Sequence, residues 1–332
     1  MSSPESSNTA MATVFSERRT DLVVTGRQPR ADGVIALTLA DPSGDQLPAW
    51  TPGAHIDVLL GDDLVRQYSL CGSPGDQHTW RIGVLLDANG RGGSRRVQET
   101  LHVGDAVAVR GPRNHFPLHA AAEYIFIAGG IGITPILPMI GMAEGSGAEW
   151  QLWYGGRGRT SMAFVDELEA FGDRVKFWPD DERGLLPLDD ILGRPREGAL
   201  VYCCGPEPLL AAVEQRCAGW PPGTLHIERF AAKARDPASA GGTTAAFEVV
   251  CQRSGVTVMV PPETSIIDAL EANGISVLSS CLEGVCGTCE TAVLEGIPDH
   301  RDSLLSAEER ESNEYMMICV SRSLSERLVL DL

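Results

Sequence analysis

The first third of the chain alternates apolar and polar residues in short runs. From about Val23 to Leu118 these runs are separated by Pro and Gly, and they read VIALTLA, HIDVLL, QYSLCG, WRIGVLL and AVAVRGP. A period of two places one face of each strand against a core, while Pro and Gly form the turns between strands. The pattern predicts an all-β unit over residues 16–118, built as an antiparallel barrel or sandwich.

Between Tyr124 and Phe230 the pattern changes to continuous apolar runs that alternate with helical stretches. The apolar runs are YIFIAG, WQLWYG, VKFWP, ALVYCCG and TLHIERF, and the helical stretches include SMAFVDELEAF and EPLLAAVEQRC. Such alternation indicates a parallel sheet flanked by helices. We therefore predict an α/β unit over residues 119–230.

One stretch of this unit has the length of a membrane span. Residues 124–143 run twenty positions without a charge, roughly enough to cross a bilayer. Four glycines and two prolines lie inside the stretch, and they would break a helix exposed to lipid. We therefore predict a strand, a turn and a buried helix here, with no membrane association.

The last part of the chain follows a stretch rich in Gly, Ala, Ser and Pro. Residues 231–244, AAKARDPASAGGTT, have the composition of a linker. After it, FEVVCQRSGVTVMV predicts a hairpin and SIIDALEANG predicts a helix that Ser265 and Asp268 cap and Gly274 ends. These patterns predict a third domain over residues 245–332.

Charge changes the list of possible partners. The 332 residues carry a formal charge of −18, which disfavours nucleic acid and anionic membranes because phosphate-binding surfaces need clustered Lys and Arg. Residues 245–332 hold 15 Asp and Glu against 5 Arg and no Lys, a net of −10. A basic protein partner for the last domain is the better expectation. Residues 1–15 lack the pattern of a secretion signal, so we expect a disordered N-terminus on a cytoplasmic protein, which we take to be a monomer.

Cysteine spacing gives the strongest chemical signal. Cys281, Cys286 and Cys289 form C-x4-C-x2-C, and Cys319 follows thirty positions later. This is the ligand spacing of a plant-type 2Fe-2S ferredoxin, in which four thiolates hold two irons. A structural zinc site would normally show paired C-x2-C motifs, and only one such pair is present.

Other residues refine the cysteine interpretation. Gly284 and Gly287 are expected to let backbone N–H groups approach the cluster sulfurs. Nine cysteines, an odd count without an export signal, argue against a disulfide framework. Four cysteines outside the motif are predicted to be small buried hydrophobes: Cys71, Cys203, Cys217 and Cys251.

Two motifs could bind a phosphorylated ring cofactor. In RQYSL, Arg66 could hold a phosphate, Tyr68 could lie on an aromatic ring and Ser69 could hydrogen-bond a ring nitrogen. The segment Gly92, Gly93 and Ser94 precedes a predicted helix, whose N-terminal N–H groups and dipole suit an anion.

A glycine-rich turn predicts a nucleotide site but departs from the dinucleotide fingerprint. In AGGIGITPI, Gly130 and Gly132 are followed by Pro135 where the fingerprint has its third glycine. The next strand ends in Gly155, Gly156 and Arg157, without an acid for a ribose hydroxyl. A standard Rossmann dehydrogenase is therefore disfavoured. Two arginines could serve a 2′-phosphate: Arg157 and Arg159.

The order of these motifs resembles a known family. RxYS in a β unit, a GGxGxTP turn, a CGP motif and a C-terminal plant-type ferredoxin motif occur in this order in the phthalate dioxygenase reductase family, which includes vanillate O-demethylase reductases. The resemblance runs from about Val23 to the terminal LVLDL. It implies an antiparallel β-barrel flavin domain, an α/β parallel-sheet nucleotide domain and an α+β domain of β-grasp type that carries the cluster.

The resemblance also implies cofactors and site residues. It implies FMN rather than FAD, and NADH with NADPH left open. The residues it places on the flavin are Arg66, Tyr68, Ser69, Gly92, Gly93 and Ser94, with Glu228 and Phe230 near it. The residues it places on the nicotinamide nucleotide are those from Gly129 to Pro135, including Gly130, Gly132 and Thr134, and those of the CGP motif, Cys204, Gly205 and Pro206. The residues expected to be catalytic are Ser69, Cys204 and Glu228, whereas His55, Cys71 and Arg91 are expected to be structural.

Together these features predict an electron-transfer reductase. A nicotinamide delivers two electrons as hydride, a 2Fe-2S centre accepts one, and a flavin converts between them, so no catalytic acid or base is required. The resemblance implies a Rieske-type oxygenase or demethylase component as the final acceptor. Two alternatives stay open: a reductase for a haem-thiolate monooxygenase, and a redox sensor that switches partner binding.

Overall fold

The computed structural model describes residues 19–61, 64–88, 90, 92–233 and 245–332. The predicted disordered N-terminus, Arg91 and most of the predicted linker lie outside these residues. Within them, three main sheets follow one another along the chain. The boundaries assigned above to the domains stay predictions.

The first sheet is a six-stranded antiparallel barrel. Its strand order is β4-β3-β6-β1-β2-β5, and Leu70, just after β4, pairs with Ile82 of β5, which closes the sheet. The core consists of alternate residues such as Val24, Leu37 and Ile56. The strands are β1 Arg19–Ala31, β2 Val34–Ala40, β3 Ala54–Leu59, β4 Val65–Ser69, β5 Thr79–Leu85 and β6 Ala106–Asn114, with helix α1 Gly93–Thr100 between the last two.

The second sheet has five parallel strands in the order β11-β10-β7-β8-β9. Its strands are β7 Glu123–Gly129, β8 Glu149–Gly156, β9 Val175–Pro179, β10 Ala199–Cys204 and β11 Leu225–Glu228. The helices are α2 Ile133–Ser146, α3 Val165–Leu168, α4 Asp180–Arg183, α5 Leu188–Leu192 and α6 Glu207–Cys217. The uncharged stretch 124–143 forms β7, a short 3-10 turn and most of α2, whose apolar residues pack in the core. None of the helices in the described part of the chain is long and apolar enough to cross a membrane.

The stretch SMAFVDELEAF is less helical than its pattern predicts. Only α3 is α-helical, and a 3-10 segment over 169–174 follows it. Phe164 has a left-handed conformation at the start, with φ 59°, and Gly172 interrupts the end with φ 58°. Because both residues leave helical geometry, the apolar periodicity cannot extend into a single helix.

The third sheet is mixed and has the order β13-β12-β18-β14-β16. The strands are β12 Phe247–Cys251, β13 Val256–Val260, β14 Glu290–Glu295, β15 Pro298–Asp299, β16 Tyr315–Met317, β17 Arg322–Ser323 and β18 Arg327–Leu330, where β15 and β17 form a separate pair. The helices are α7 Ile266–Ala272, whose apolar face is buried, and α8 Ala307–Ser312. Ser265 Oγ accepts the Asp268 N–H at 3.0 Å, and Gly274, with φ 78°, follows the helix end as the pattern predicts.

Candidate functional site

A cleft of about 490 Å³ lies where the barrel, the parallel sheet and the third unit meet. Residues from all three units line it, among them Tyr68 and Ser69 of β4, Thr134 of α2, Glu228 of β11 and Cys281. Four sequence motifs that are far apart in the chain therefore face one cavity. Such a shared cleft with converging polar groups is where a cofactor is expected.

The strand β4 presents its polar side chains to this cleft. Arg66 lies against the start of α1, because a Cβ atom added at Gly93 would be 2.4 Å from Arg66 Cγ. Gly93 is thus required for the arginine to reach the helix N-terminus, where Gly92 has φ 79° and Ser94 Oγ accepts the Asp87 N–H at 3.0 Å. A guanidinium group beside a helix N-terminus suits a cofactor phosphate.

The two other residues of the RxYS motif stand nearer the centre of the cleft. Ser69 is buried at the end of β4, opposite His55 of β3. Tyr68 is half-buried, and burial raises the pKa of its hydroxyl, so the ring is neutral. The strand therefore offers an aromatic face and a hydroxyl to a ring cofactor.

A second cleft of about 590 Å³ adjoins the first and is lined by the glycine turn and the CGP motif. A Cβ atom at Gly132 would be 2.2 Å from Cys204 O, and one at Gly129 would be 2.7 Å from Pro206 Cδ. These motifs touch because β7 and β10 are parallel neighbours, with Ala128 opposite Cys204. Gly130, Gly132, Gly205 and Pro206 line the cleft, as a nucleotide site requires.

Three predicted residues are buried, and of these only Thr134 lines a cleft. Pro135 is buried in the first turn of α2 and is not among the residues lining either cleft. Thr134 is buried, donates from Oγ1 to the Ile131 carbonyl at 3.0 Å and packs against Gly83 of the barrel. Cys204 is fully buried, and its Sγ lies 3.9 Å from Glu228 Oε2.

Burial changes the protonation of this last pair. It raises the pKa of Glu228 to about 8, and the pKa of the Cys204 thiol also rises through burial and the nearby carboxylate. Burial therefore favours the protonated, uncharged form of both groups. Glu228 lines the first cleft, so this edge of the cleft is less negative than an ionised carboxylate would make it.

The two clefts are continuous. They share Leu85, Ile131, Arg157, Arg229 and Phe230, and the ring of Phe230 is 46% exposed at this junction. A bound nucleotide can thus approach a ring held by β4 from the side of Phe230. The sequence interpretation placed Phe230 near the flavin, and the structure places it at the boundary.

The two arginines suggested for a 2′-phosphate have different surroundings. Arg159 pairs with Glu169 at 2.6 Å and lies over the Phe177 ring at 4.0 Å. Arg157 lines both clefts, and no ion pair or hydrogen bond joins its guanidinium to the part of the chain described here. Asp180 also lines the second cleft. It follows β9, so an acid search restricted to the end of β8 could not find it.

The four cysteines of the predicted cluster lie together beside the first cleft. Cys281, Cys286 and Cys289 belong to the loop between α7 and β14, and Cys319 follows β16. The thiols of Cys286 and Cys319 hydrogen-bond to Cys281, and Cys319 also bonds to Cys289. These bonds and the N–H groups of Glu283 and Val285 lower the pKa of Cys281.

This donor set fits a two-iron cluster. Three of its sulfurs come from one loop with the spacing C-x4-C-x2-C, and the fourth comes from the separate element after β16. Four thiolates on two irons match that arrangement better than a single zinc ion does.

The two loop glycines have a function that the sequence interpretation missed. Both have φ 71°. A Cβ atom at Gly287 would be 2.3 Å from His115 Nε2 of the barrel, and one at Gly284 would be 2.6 Å from Val320 Cγ2. The Glu283 N–H group lies 3.3 Å from Cys281 Sγ. The glycines therefore admit neighbouring side chains against the loop.

Comparison with known proteins agrees with this geometry. A family described as "2Fe-2S iron-sulfur cluster binding domain" matches residues 249–324. The chain is 45% identical over 304 residues to "Phenoxybenzoate dioxygenase subunit beta" of Ectopseudomonas oleovorans, covering 91% of this chain and 94% of that protein. The crystal structure of phthalate dioxygenase reductase, described as a modular structure for electron transfer from pyridine nucleotides to [2Fe-2S], is 36% identical, with a TM-score of 0.69 over 95% of this chain and 98% of that one.

The chain belongs to the phthalate dioxygenase reductase family. The reductase is also similar to an intact type IV self-sufficient cytochrome P450 monooxygenase, with 43% identity and a TM-score of 0.88 over 95% of this chain. It spans only 41% of that longer chain. The predicted family and fold class are confirmed, and the protein is an NAD(P)H-dependent flavin and iron-sulfur oxidoreductase, which sets aside the alternative of a redox sensor.

Proposed function

We propose that the reductase takes electrons from NADH, passes them through FMN and a 2Fe-2S cluster, and delivers them to the terminal component of an oxygenase. When bound, the flavin accepts hydride and the cluster carries single electrons outward. The observation that supports this order is the shared cleft: Ser69, Thr134, Glu228 and Cys281 line one cavity. The residues for the flavin, the nucleotide and the metal therefore meet at one place.

Each of the proposed catalytic residues has a definite task. Ser69, buried at the end of β4, donates a hydrogen bond to the flavin ring. Glu228 lines the first cleft where the nicotinamide rests, Cys204 lies buried behind it, and burial favours the protonated form of both groups. Arg66 and the N–H groups of the 92–94 turn hold the flavin phosphate. Cys281, Cys286, Cys289 and Cys319 hold the two irons.

An anaerobic titration of the purified holoprotein tests this proposal. NADH should bleach the flavin absorbance and then the cluster absorbance, and acid extraction should release FMN. NADPH is the comparison donor. We expect it to react more slowly, because the carboxylate of Asp180 in the second cleft would repel its 2′-phosphate. A preparation that contains zinc, or whose cluster is never reduced by NADH, would contradict the proposal.

The acceptor is proposed to be a Rieske-type oxygenase or demethylase component, as the name of the phenoxybenzoate dioxygenase relative suggests. The net charge of −10 over residues 245–332 favours a basic surface on that acceptor. Reduction of the acceptor should therefore slow as ionic strength rises. An unchanged rate between low and high salt would remove the electrostatic part of the proposal.

The second candidate acceptor is a haem-thiolate monooxygenase, favoured by the similarity to the self-sufficient cytochrome P450. Reduction of a purified Rieske component and of a P450 haem domain by the same preparation would separate the two. We also propose a cytoplasmic monomer. All nine cysteines are free thiols in the structure, which suits a reducing compartment.

A further inference from the structure

A buried carboxylate lies between the barrel and the iron-sulfur loop. Asp57 of β3 has no exposed surface. Its Oδ1 accepts hydrogen bonds from Arg113 Nη2 at 2.7 Å, Gln67 Nε2 at 3.0 Å and Ser280 Oγ at 3.2 Å. Its Oδ2 lies 3.4 Å from Arg110 Nη2. Three polar groups from separate parts of the chain therefore converge on one oxygen atom.

Two of these groups adjoin the residues that hold the cofactors. Gln67 stands between Arg66 and Tyr68 on β4, the strand that lines the first cleft, which we call the flavin cleft. Ser280 directly precedes the cluster ligand Cys281. One carboxylate oxygen thus joins the flavin strand to the cluster loop across 223 positions of sequence. Arg110 adds a parallel bond from Nη2 to the Ser279 carbonyl at 3.2 Å.

The loop is also held on a second side. His115, just after β6, packs against Gly287, which lies between the second and third cluster ligands. The His115 ring is 5.8 Å from that of His55, and both rings line the flavin cleft. The barrel therefore contacts the loop before its first ligand and again near its middle. Two separated contacts fix the orientation of a loop as well as its distance.

We propose that Asp57, acting through Ser280, is a positioning residue that holds the cluster loop against the flavin cleft and thereby sets the rate of electron passage from flavin to cluster. This inference rests on the proposed function, since it assigns the two cofactors to those two sites. Electron tunnelling falls steeply with distance, so a loop that moves away from the cleft slows this step. Hydride transfer on the nucleotide side does not depend on the same contact.

The test is transient kinetics on the holoprotein with Ser280→Ala. Stopped-flow mixing with NADH under anaerobic conditions separates flavin bleaching from cluster bleaching. We expect flavin reduction at the wild-type rate and cluster reduction slowed by about tenfold, within the range of losses caused by displacement of about an ångström. Asp57→Asn should slow the same phase further.

Three controls make the result specific. Ser280→Thr keeps the hydroxyl and should restore the cluster phase. Ser254→Ala removes a serine hydroxyl from the turn between β12 and β13, at the opposite edge of the sheet, and should leave both phases unchanged. Hydrogen exchange provides a readout independent of turnover: amides of residues 279–283 should exchange faster in Ser280→Ala than in Ser254→Ala.

The outcomes separate this inference from the proposed function. If the wild type reduces its cluster and Ser280→Ala does so equally fast, with unchanged hydrogen exchange, the positioning function of Asp57 is wrong and the electron path remains. If the wild type itself never reduces its cluster with NADH, the proposed function is wrong. Should Asp57→Asn fail to fold, the rates of cluster reduction in Ser280→Ala and Ser280→Thr still test whether the Ser280 hydroxyl positions the loop.

Discussion

The barrel of the reductase contacts its two neighbours by different chemistry. On the nucleotide side, Arg81 makes a bidentate ion pair with Glu167 at 2.7 and 2.9 Å, and Arg30 pairs with Asp166 at 3.1 Å. On the cluster side the ionic groups belong to the barrel itself: the Ser280 hydroxyl of the loop donates to Asp57, and the Ser279 carbonyl accepts a bond from Arg110. Ion pairs therefore hold the barrel to the nucleotide unit. Hydrogen bonds between neutral loop groups and charged barrel side chains hold the barrel to the cluster loop.

Both contacts nevertheless use a glycine to admit a side chain from the opposite unit. Gly83 of the barrel receives Thr134, whose Cγ2 would be 2.7 Å from an added Cβ, and Gly287 of the loop receives His115 at 2.3 Å. Close approach is thus required on both sides of the flavin cleft. The difference in the surrounding charges means that salt should weaken the nucleotide side more than the cluster side.

The largest expected effect is loss of the iron-sulfur cluster while reduction of the flavin by NADH is retained. Cys286→Ser should abolish cluster assembly, because four thiolates are needed to hold two irons, while NADH should still bleach the flavin. Iron content and the two phases of anaerobic NADH reduction measure this. Cys251→Ser is the matched control, since Cys251 is a buried cysteine of β12 in the same unit and is not one of the four motif cysteines, so this variant should retain its iron. Equal loss of flavin reduction in Cys286→Ser would show that the two sides are not independent.

The second effect tests the close approach at the loop. Gly287→Ala and Gly255→Ala both place a Cβ at a positive φ, 71° and 68° respectively, and each costs about 1–2 kcal/mol for that reason. Gly255 has open space around it, whereas the Gly287 Cβ would collide with His115. Gly287→Ala should therefore lower the free energy of unfolding by about 3 kcal/mol or more.

Thermal unfolding of the two glycine variants, followed together with cluster absorbance, gives the comparison. A similar loss in both variants would mean that His115 moves aside without cost, and that the second contact of the barrel with the loop is weak. A larger loss in Gly287→Ala supports a tight contact. The pair is well matched because both glycines lie in the same unit and share their backbone conformation.

Most of the fold and the motif residues could be predicted from local patterns. The alternating runs correspond to β2 through β6, and the helix α6 begins and ends where its apolar periodicity does. The whole of β1, residues 19–31, lies outside the apolar runs, since polar and charged side chains occupy most of its positions. Local motifs carry their own chemistry, so Arg66, Ser69 and the four clustered cysteines could be named as candidates, and the structure has them at or beside the first cleft.

Contacts between units could not be predicted in this way. Asp57 alternates with apolar neighbours in β3, as any strand residue might, and nothing near it in sequence points to Ser280. Asp180, at the start of α4 directly after β9, lines the second cleft because β8 and β9 are parallel neighbours, which depends on sheet order. The α3 region was overpredicted because two left-handed residues are invisible to apolar periodicity.

The third effect is kinetic and lies on the nucleotide side. Arg81→Gln removes the bidentate pair with Glu167, and the half-buried side chains make this contact worth more than a fully exposed pair. Flavin reduction by NADH should slow by about tenfold through misalignment of the nucleotide unit, with the later cluster phase unchanged. Ser280→Ala should show the reverse pattern. If both variants slow the same phase, the two contacts do not act separately.

The smallest effect concerns two carboxylates, Asp57 at the contact of the barrel with the cluster loop and Glu228 in the nucleotide unit. Asp57 lies between two guanidinium groups, whereas Glu228 faces the Cys204 thiol, and burial raises the pKa of Glu228 to about 8 from 4.5. Because the folded state holds this proton more tightly than the unfolded state, the stabilisation is complete below about pH 4.5 and is lost as pH rises towards 8. Glu228 keeps one edge on the cleft, so screening limits the change to about 1–2 kcal/mol.

Glu228→Gln should remove this dependence, so that the variant is less sensitive than the wild type to a rise from pH 5 to pH 8. Chemical unfolding at the two pH values measures the difference, with Glu326→Gln, a glutamate in the last unit, as the control for a general change in charge. A pH response of Glu228→Gln equal to that of the wild type would mean that this carboxylate is already ionised in the folded protein. The cleft would then present the negative charge of Glu228 to the hydride donor. Glu228 and Asp57 would in that case both be ionised, and the two carboxylates would differ only in their ion-pair partners.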